Sequence, residues 1–103
     1  MVLIGFDSLA DMYQQWGGSE AECTKPGTEV LFVEYDCDGY EGSAFCVLRC
    51  DGQLYEAHDL HCSCNGLENF DLEETSAAAL RMRRRALRSL DFRTFLESLE
   101  ASA

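Results

Sequence analysis

Two apolar runs on either side of Asp51 and Gly52 form the clearest pattern in the chain. Both runs are rich in residues that favour strands, and only two residues separate them. A type I′ turn needs a positive φ at both central positions, which Asp and Gly adopt at low cost. The pattern therefore predicts a β-hairpin with antiparallel strands over residues 44–50 and 53–58.

The same turn predicts the register of the hairpin. With a two-residue loop, Cys50 lies opposite Gln53, and alternate residues then point to opposite faces of the sheet. One face carries Cys46, Leu48, Tyr55 and Ala57. The other face carries Phe45, Val47 and Leu54, with Arg49, Glu56 and His58 at its edges. The first of these faces is predicted to be the buried one.

Three short motifs in and around the hairpin resemble those of a group of small proteins encoded by phages and prophages. They are Y-E-G-S-A-F at 40–45, D-G-Q-L-Y-E at 51–56 and H-C-S-C-N-G-L-E at 61–68. The likeness covers roughly residues 40–82, less than half of the chain. It implies an origin in a mobile genetic element. Because most members of the group have no assigned activity, it implies none for this chain.

Before the hairpin, the pattern predicts one helix and one strand. Ser8 followed by Asp11 is typical of a helix N-terminus, and apolar residues recur at helical spacing as far as residue 16. Residues 19–28 are predicted as a loop and residues 36–42 as a turn-rich connection. Residues 29–36 favour a strand that is apolar on both sides at its centre, which predicts that both of its faces are covered. The apolar run 2–4 fits either a strand or a packing arm.

After the hairpin, residues 77–88 are predicted to be one helix. Glu73 and Glu74 suit the positive end of its dipole, with Asp71 or Thr75 as the cap. Its apolar arc consists of Ala79, Leu80, Met82, Ala86, Leu87 and Leu90. Its opposite side carries a basic stripe of Arg81, Arg84, Arg85 and Arg88. Arg83 falls alone inside the apolar arc.

The C-terminal segment repeats an apolar pattern at helical spacing through Phe92, Phe95, Leu96 and Leu99. On one continuous helix from residue 77 these side chains would project on the arginine side. Two interpretations follow. The favoured one is a break at residues 89–91, with Asp91 capping a separate helix that packs on its own core. The alternative is a homodimer formed through the four apolar residues.

Together these elements predict an α+β fold in a single domain over residues 1–103. Its architecture is a three-stranded antiparallel meander flanked by one N-terminal helix and two C-terminal helices. The chain has no signal-peptide pattern and no apolar run approaching about 18 residues, which predicts no secretion by that route and no membrane span. The expected location is the cytoplasm of an infected or prophage-carrying host, where cysteines remain thiols.

Charge is distributed unevenly along the chain. The net charge is -11, with -14 in residues 1–80 and +3 in residues 81–103. This magnitude exceeds the roughly 2 to 8 that solubility of a small domain requires. The carboxylates predicted to bind a host protein with a basic surface, as a DNA mimic does, are Glu29, Glu34, Asp36, Asp38, Glu41, Glu56 and Asp59. The competing interpretation is a solvated acidic face that keeps the protein monomeric.

A second candidate site is a zinc site. His58, His61, Cys62 and Cys64 lie within seven residues and are of the ligand types that zinc prefers. Their spacing matches none of the familiar structural zinc motifs, so the competing interpretation is a hairpin exit with buried thiols and partly exposed histidines. No cofactor is predicted other than this zinc.

Other chemistry is less well supported by the residues. Asp36, Asp38 and Glu41 lack the remaining ligands of a calcium loop. Cys62 beside His61 lacks a third group to complete a catalytic arrangement, so no catalytic residue is predicted and the protein is predicted not to be an enzyme. The arginine stripe is a candidate contact for nucleic acid or for a second copy, but carboxylates outnumber it, and direct nucleic-acid binding is not expected. The leading hypothesis is a non-enzymatic inhibitor or adaptor of the anti-defence class, which includes anti-CRISPR proteins.

Overall fold

A five-stranded mixed sheet runs through the structure, a computed structural model that describes residues 2–16, 27–38, 41–61, 72–83 and 89–101. The strands are β1 (Val2–Ile4), β2 (Thr28–Asp38), β3 (Glu41–Cys50), β4 (Gln53–His61) and β5 (Glu73–Thr75). The helices are α1 (Leu9–Trp16), α2 (Ala77–Arg81) and α3 (Leu90–Ala101). The predicted α+β class is confirmed.

The order of strands in the sheet is the order of strands in the chain. The predicted antiparallel meander is present as β2, β3 and β4, but the sheet has five described strands and not three. At one edge β1 pairs in parallel with β2, with Val2 opposite Phe32. At the other edge β5 pairs antiparallel with β4. Residues 2–4 are therefore a strand rather than a packing arm.

The central hairpin has the predicted turn and register. Asp51 and Gly52 have φ values of 51° and 81°, as a type I′ turn requires. Cys50 pairs with Gln53 and Phe45 with His58. Both strands are longer than predicted, because β3 pairs with β2 through residues 41–43 and β4 pairs with β3 through residues 59–61.

Both faces of the sheet are buried, which corrects the prediction of one buried face. Cys46, Leu48 and Ala57 pack against Met12 and Trp16 of α1. On the other face, Phe45 and Val47 pack against α2 and α3. Neither Cys46 nor Cys50 forms a disulfide.

The covered strand β2 supplies apolar residues to both cores. A bulge inserts Leu31 between Val30, which lies opposite Leu48, and Phe32, which lies opposite Val47. Val30 therefore joins the α1 face while Phe32 joins the α3 face. The prediction that both faces of this strand are covered is confirmed.

The predicted start of α1 is also confirmed. The Ser8 hydroxyl accepts a hydrogen bond from the Asp11 backbone N–H at 3.1 Å, and the Asp11 carboxylate accepts one from the Asp7 backbone N–H at 3.0 Å. This reciprocal cap satisfies two N–H groups that the helix itself leaves unpaired. The Asp7 N–H, with the Gln15 side chain, holds the pKa of Asp11 below its ordinary value.

The helix predicted over residues 77–88 begins at Ala77 as predicted, but its predicted cap and its predicted length are wrong. Glu73 and Glu74 lie in β5, and Ser76 caps α2 by accepting the Ala79 N–H. The described helix ends at Arg81, so Met82 does not lie on a buried arc and is 83% exposed. Leu90 is likewise exposed. Arg84, Arg85, Ala86, Leu87 and Arg88 lie outside the described residues.

The predicted break before the last helix is confirmed, although the cap differs. Ser89, not Asp91, accepts the hydrogen bond from the Phe92 N–H, and Asp91 lies in the first turn of α3. Phe92, Phe95, Leu96 and Leu99 are buried against the sheet of their own chain. The alternative of a homodimer through these four residues is therefore not supported, because the single chain already covers them.

An acidic groove as the candidate functional site

Two rows of side chains on the α3 face reach the end of the sheet where β2 and β4 finish and β3 begins. The inner row is Glu34, Phe45 and His58. The outer row is Asp36, Ser43 and Leu60. Phe45 is fully buried, with its ring 4.6 Å from the His58 ring and 5.1 Å from the Phe92 ring. The two rows form a platform beside this aromatic cluster.

A groove of about 680 Å³ lies over this platform. Its other wall is Arg83 and the start of α3. The described lining consists of Ile4, Glu34, Tyr35, Asp36, Ser43, His58, Leu60, Arg83, Ser89, Leu90 and Asp91. Because α3 begins only at Leu90, it covers the middle of the sheet and leaves Asp36 and Leu60 of the outer row exposed.

Glu34 joins the platform to the start of α3. Its Oε2 accepts a hydrogen bond from the Ser89 hydroxyl at 2.8 Å, and the same hydroxyl accepts the Phe92 N–H. Glu34 is half-buried, whereas Asp36 and Asp91 are exposed and have no ionic partner among the described residues. The groove therefore combines one fixed carboxylate with two solvated ones.

Glu56 lies beneath one side of the groove and is fully buried, which corrects its prediction as a partner-binding surface residue. Its Oε1 accepts a hydrogen bond from Arg83 Nε at 2.8 Å and is also bonded to His58 Nε2. Burial raises the pKa of Glu56, but interactions with Arg83, Thr75 and His58 outweigh it and hold the pKa below its ordinary value. Glu56 is therefore an internal anion that positions Arg83 and His58.

Two other carboxylates that were predicted to bind a partner are not part of the groove surface: one is buried, and the other lies at the opposite end of the sheet. Asp59 is only 8% exposed, and its Oδ1 accepts the Leu60 N–H. Glu29 is exposed at the opposite end of β2, where it lies 3.8 Å from Arg49. An exposed pair at this distance contributes little to stability.

The remaining predicted carboxylates share one end of the sheet. Two further carboxylates lie at the same end: one follows β1, and the other is in the first turn of α3. We call the whole set of carboxylate positions the acidic end: Asp7, Glu34, Asp36, Asp38, Glu41 and Asp91. Asp38 and Glu41 are paired positions at the end of the β2–β3 hairpin.

Asp7 and Asp91 were not among the predicted site residues. Phe6 stacks on Tyr35 at 5.0 Å, which brings Asp7 to the end of β2. This placement depends on the parallel pairing of β1 with β2. Asp91 lines the groove because α3 begins at Leu90, next to Ser89, whose hydroxyl is bonded to Glu34. A signal for Asp91 was present in the sequence, since an acidic residue is favoured in the first turn of a helix.

Carboxylates outnumber cations in the described part of the chain. The described ranges contain 15 carboxylate residues and four arginines, a net charge of -11. Arg83 is bonded to buried Glu56, and Arg49 lies beside Glu29 at the far end. Arg93 is exposed in the first turn of α3 but does not line the groove. Arg81, the described member of the predicted basic stripe, is exposed.

The predicted zinc site falls only partly within the described residues. His58 is held by Glu56, and His61 is the last residue of β4, opposite Gly42. Cys62 and Cys64 lie outside the described ranges. In the part of the chain that the structure describes, no three or more His, Cys, Asp or Glu side chains are grouped to hold a metal ion. Zinc binding by the four residues stays a prediction.

Exposed leucines flank the carboxylates of the groove. Leu60 is 79% exposed and Leu90 is 69% exposed, and both belong to the lining. Met82 is exposed as well but does not belong to it. A groove with both apolar and acidic walls suits a ligand that is both apolar and cationic.

Comparison of the chain with protein-family models, with curated proteins and with solved structures gave no match. Among the helices that the structure describes, α1, α2 and α3, none is long and apolar enough to cross a membrane.

Proposed function

We propose that this protein is a non-enzymatic inhibitor or adaptor that docks its acidic end on a basic surface of a host nucleic-acid-binding protein. The proposal assigns the protein to a phage or prophage and its action to the host cytoplasm, on the resemblance of residues 40–82. It assigns no catalytic residue. The observation that carries it is the grouping of six carboxylate positions at one end of the sheet.

The fixed strand positions of Glu34 and Asp36 support this proposal. Glu34 is fixed to the start of α3, and Asp36 is held in a strand that pairs with its neighbour. Fixed charges bind a partner with less loss of conformational entropy than charges on mobile loops. Docking through Glu34 and Asp36 therefore needs no prior ordering of the strand that carries them.

The spacing of the carboxylates on β2 supports a resemblance to nucleic acid. Glu34, Asp36 and Asp38 occupy alternate positions of the strand. Alternate residues repeat about every 6.6 Å. Phosphates on one DNA strand repeat about every 3.4 Å along the axis, so the carboxylates correspond to every second phosphate. A basic channel that binds the DNA backbone thus meets charges at a compatible spacing.

Capture of the partner at varied salt concentration tests the proposal. The intact protein is used to capture its partner from lysate of the phage host, and the captured protein is identified and then purified. The expected result is a nucleic-acid-binding protein whose affinity for this chain falls steeply as salt rises, because surface charges are screened over about 10 Å at 0.1 M salt. The chain is also expected to displace nucleic acid from that partner.

A matched pair of charge variants separates the acidic end from net charge. The first variant combines Asp7→Asn, Asp36→Asn and Asp91→Asn. The second combines Glu29→Gln, Glu73→Gln and Glu74→Gln, three exposed carboxylates that lie outside the acidic end. We expect the first variant to bind at least about tenfold more weakly than the second, or more than about 1.4 kcal/mol. Equal affinity of the two variants contradicts docking through the acidic end.

A further inference from the structure

We infer that the groove receives an arginine side chain of the partner protein. The aliphatic part of that side chain lies between Leu60 and Leu90, and its guanidinium group meets Glu34 and Asp36. This inference rests on the proposed function and names the chemistry that is recognised at the same surface.

The size of the groove suits one long side chain and the peptide that carries it. Its volume of about 680 Å³ falls within the roughly 300 to 1,000 Å³ of sites that hold small ligands. The inner part of the lining belongs to strands and to the first turn of α3, so its shape is set by packed elements.

The exposed leucines account for the apolar part of the occupant. Leu60 comes from β4 and Leu90 from α3, so the leucines lie on two different elements of the lining. An arginine side chain carries a stem of three methylene groups below its charged head. Such a stem removes leucine surface from water while the head reaches the carboxylates.

The carboxylates account for the charge of the occupant. Glu34 is half-buried with its position fixed by Ser89, and Asp36 lies two residues further along the same strand. A planar guanidinium pairs with two carboxylate oxygens at once, which a lysine ammonium does not do. Arg83 lines the groove too, but buried Glu56 compensates its charge. The His58 ring, about half exposed, offers a flat surface on which a guanidinium stacks.

Binding of model peptides tests this inference on the intact protein. The probe is an acetylated and amidated pentapeptide with arginine at its centre and glycine elsewhere. Matched peptides carry lysine or the uncharged norleucine at the centre. We expect the methyl resonances of Leu60 and Leu90 to shift saturably with the arginine peptide, to shift at higher concentration with the lysine peptide, and not to shift with norleucine.

Three variants show which part of the groove acts. Glu34→Gln with Asp36→Asn removes the charge but keeps an acceptor for Ser89. Leu60→Ser with Leu90→Ser removes the apolar lining from two exposed positions. Each pair is expected to weaken binding of the arginine peptide at least about tenfold, measured by isothermal titration calorimetry because the leucine pair removes the reporting methyl groups. Met82→Ser, an exposed apolar residue outside the groove, is the control and is expected to leave the affinity unchanged.

Several outcomes overturn the inference. Equal shifts with norleucine indicate apolar contact alone, and no shift with any peptide indicates an unused groove. Methyl shifts that depend on protein concentration without peptide assign the groove to a second copy. If the methyl resonances shift when Arg84, Arg85 and Arg88 are replaced but not when peptide is added, the groove is occupied by arginines of this chain.

The failure of this inference differs from the failure of the proposed function. If the leucine variants capture the partner normally while the acidic-end variant does not, docking through charge stands and the arginine site is wrong. If the acidic-end variant also captures the partner normally, the proposed function is wrong.

Discussion

Arg83 Nε donates a hydrogen bond to Oε1 of Glu56 at 2.8 Å, joining two residues that lie 27 positions apart. Glu56 is fully buried between Leu54 and His58 on the α3 face of β4, while the Arg83 side chain is 41% exposed. This bond holds the segment after α2 against the sheet and forms one wall of the groove.

Removing the arginine is expected to destabilise the fold. Arg83→Met leaves a buried carboxylate with only the Thr75 and His58 interactions to compensate its charge. Loss of one partner of a buried pair costs about 3 to 5 kcal/mol. Because Arg83 is partly exposed, we expect the free energy of unfolding to fall by only about 2 kcal/mol. Urea denaturation measures it.

A second substitution tests the cause of that loss. Adding Glu56→Leu to Arg83→Met removes the buried charge, so most of the lost stability should return. Arg93→Met, at an exposed arginine of α3, is the control and should change the free energy of unfolding by less than about 0.5 kcal/mol. A double variant that is no more stable than Arg83→Met alone contradicts a charge-based explanation.

Acid is expected to weaken the same interaction. The pKa of Glu56 is held below its ordinary value of 4.5 in the folded state. Its ionised form is therefore stabilised by folding, and this contribution is complete above about pH 4.5 and disappears as pH falls through the folded pKa. We expect the stability difference between the natural protein and Glu56→Gln to narrow from neutral pH to about pH 3. Urea midpoints measure the difference. A difference that is constant or grows in acid contradicts this assignment.

Local chemistry explains which parts of the fold the sequence predicted. The residue types Asp51 and Gly52 favour the positive φ values of the turn, and the two-residue turn sets the register of both strands. The cap of α1 depends only on Ser8 and Asp11, three residues apart. Such features need no knowledge of distant residues, so a single sequence was sufficient to predict them.

Pairing between distant segments explains what the sequence did not predict. β1 and β5 are three residues each, too short for a period of two to be recognised, and each exists because a longer strand pairs with it. The sequence placed Glu56 at the edge of the hairpin, but in the structure β5 pairs with β4 beside it and Arg83 binds it. Arg83 alone inside a predicted apolar arc was the available signal, since a buried arginine needs a buried acid.

Two glycines with similar backbone conformations are expected to differ in their tolerance of a side chain. Gly5 and Gly52 have φ values of 89° and 81°. A Cβ at Gly5 would lie 2.2 Å from the Tyr35 carbonyl oxygen, whereas a Cβ at Gly52 meets no atom within 4 Å. Gly52→Ala should cost about 1 kcal/mol from backbone strain alone, and Gly5→Ala about 3 kcal/mol or more because β1 must move as well.

The same pair of variants links the fold to the acidic end. Because Gly5 allows β1 to approach Tyr35, its substitution is expected to displace Asp7 and weaken partner binding even where the protein remains folded. Urea denaturation followed by partner titration of both variants measures these effects. Equal stability of the two alanine variants contradicts the close approach at Gly5.

The final helix is expected to stabilise the single chain rather than a dimer. Phe92 is fully buried, with ring centroids 5.3 Å from Phe32 and 5.1 Å from Phe45. Truncation of such a residue costs about 3 to 5 kcal/mol, so Phe92→Ala should lower the free energy of unfolding by that amount. Because the contacts lie within one chain, the loss should not depend on protein concentration, whereas stability that depends on a dimer interface rises with concentration.

Leu90→Ala, at the exposed neighbour in the first turn, should change stability by less than about 0.5 kcal/mol. Denaturation at protein concentrations that differ by about a hundredfold separates the two cases, and a midpoint that rises with concentration contradicts burial of α3 against its own sheet.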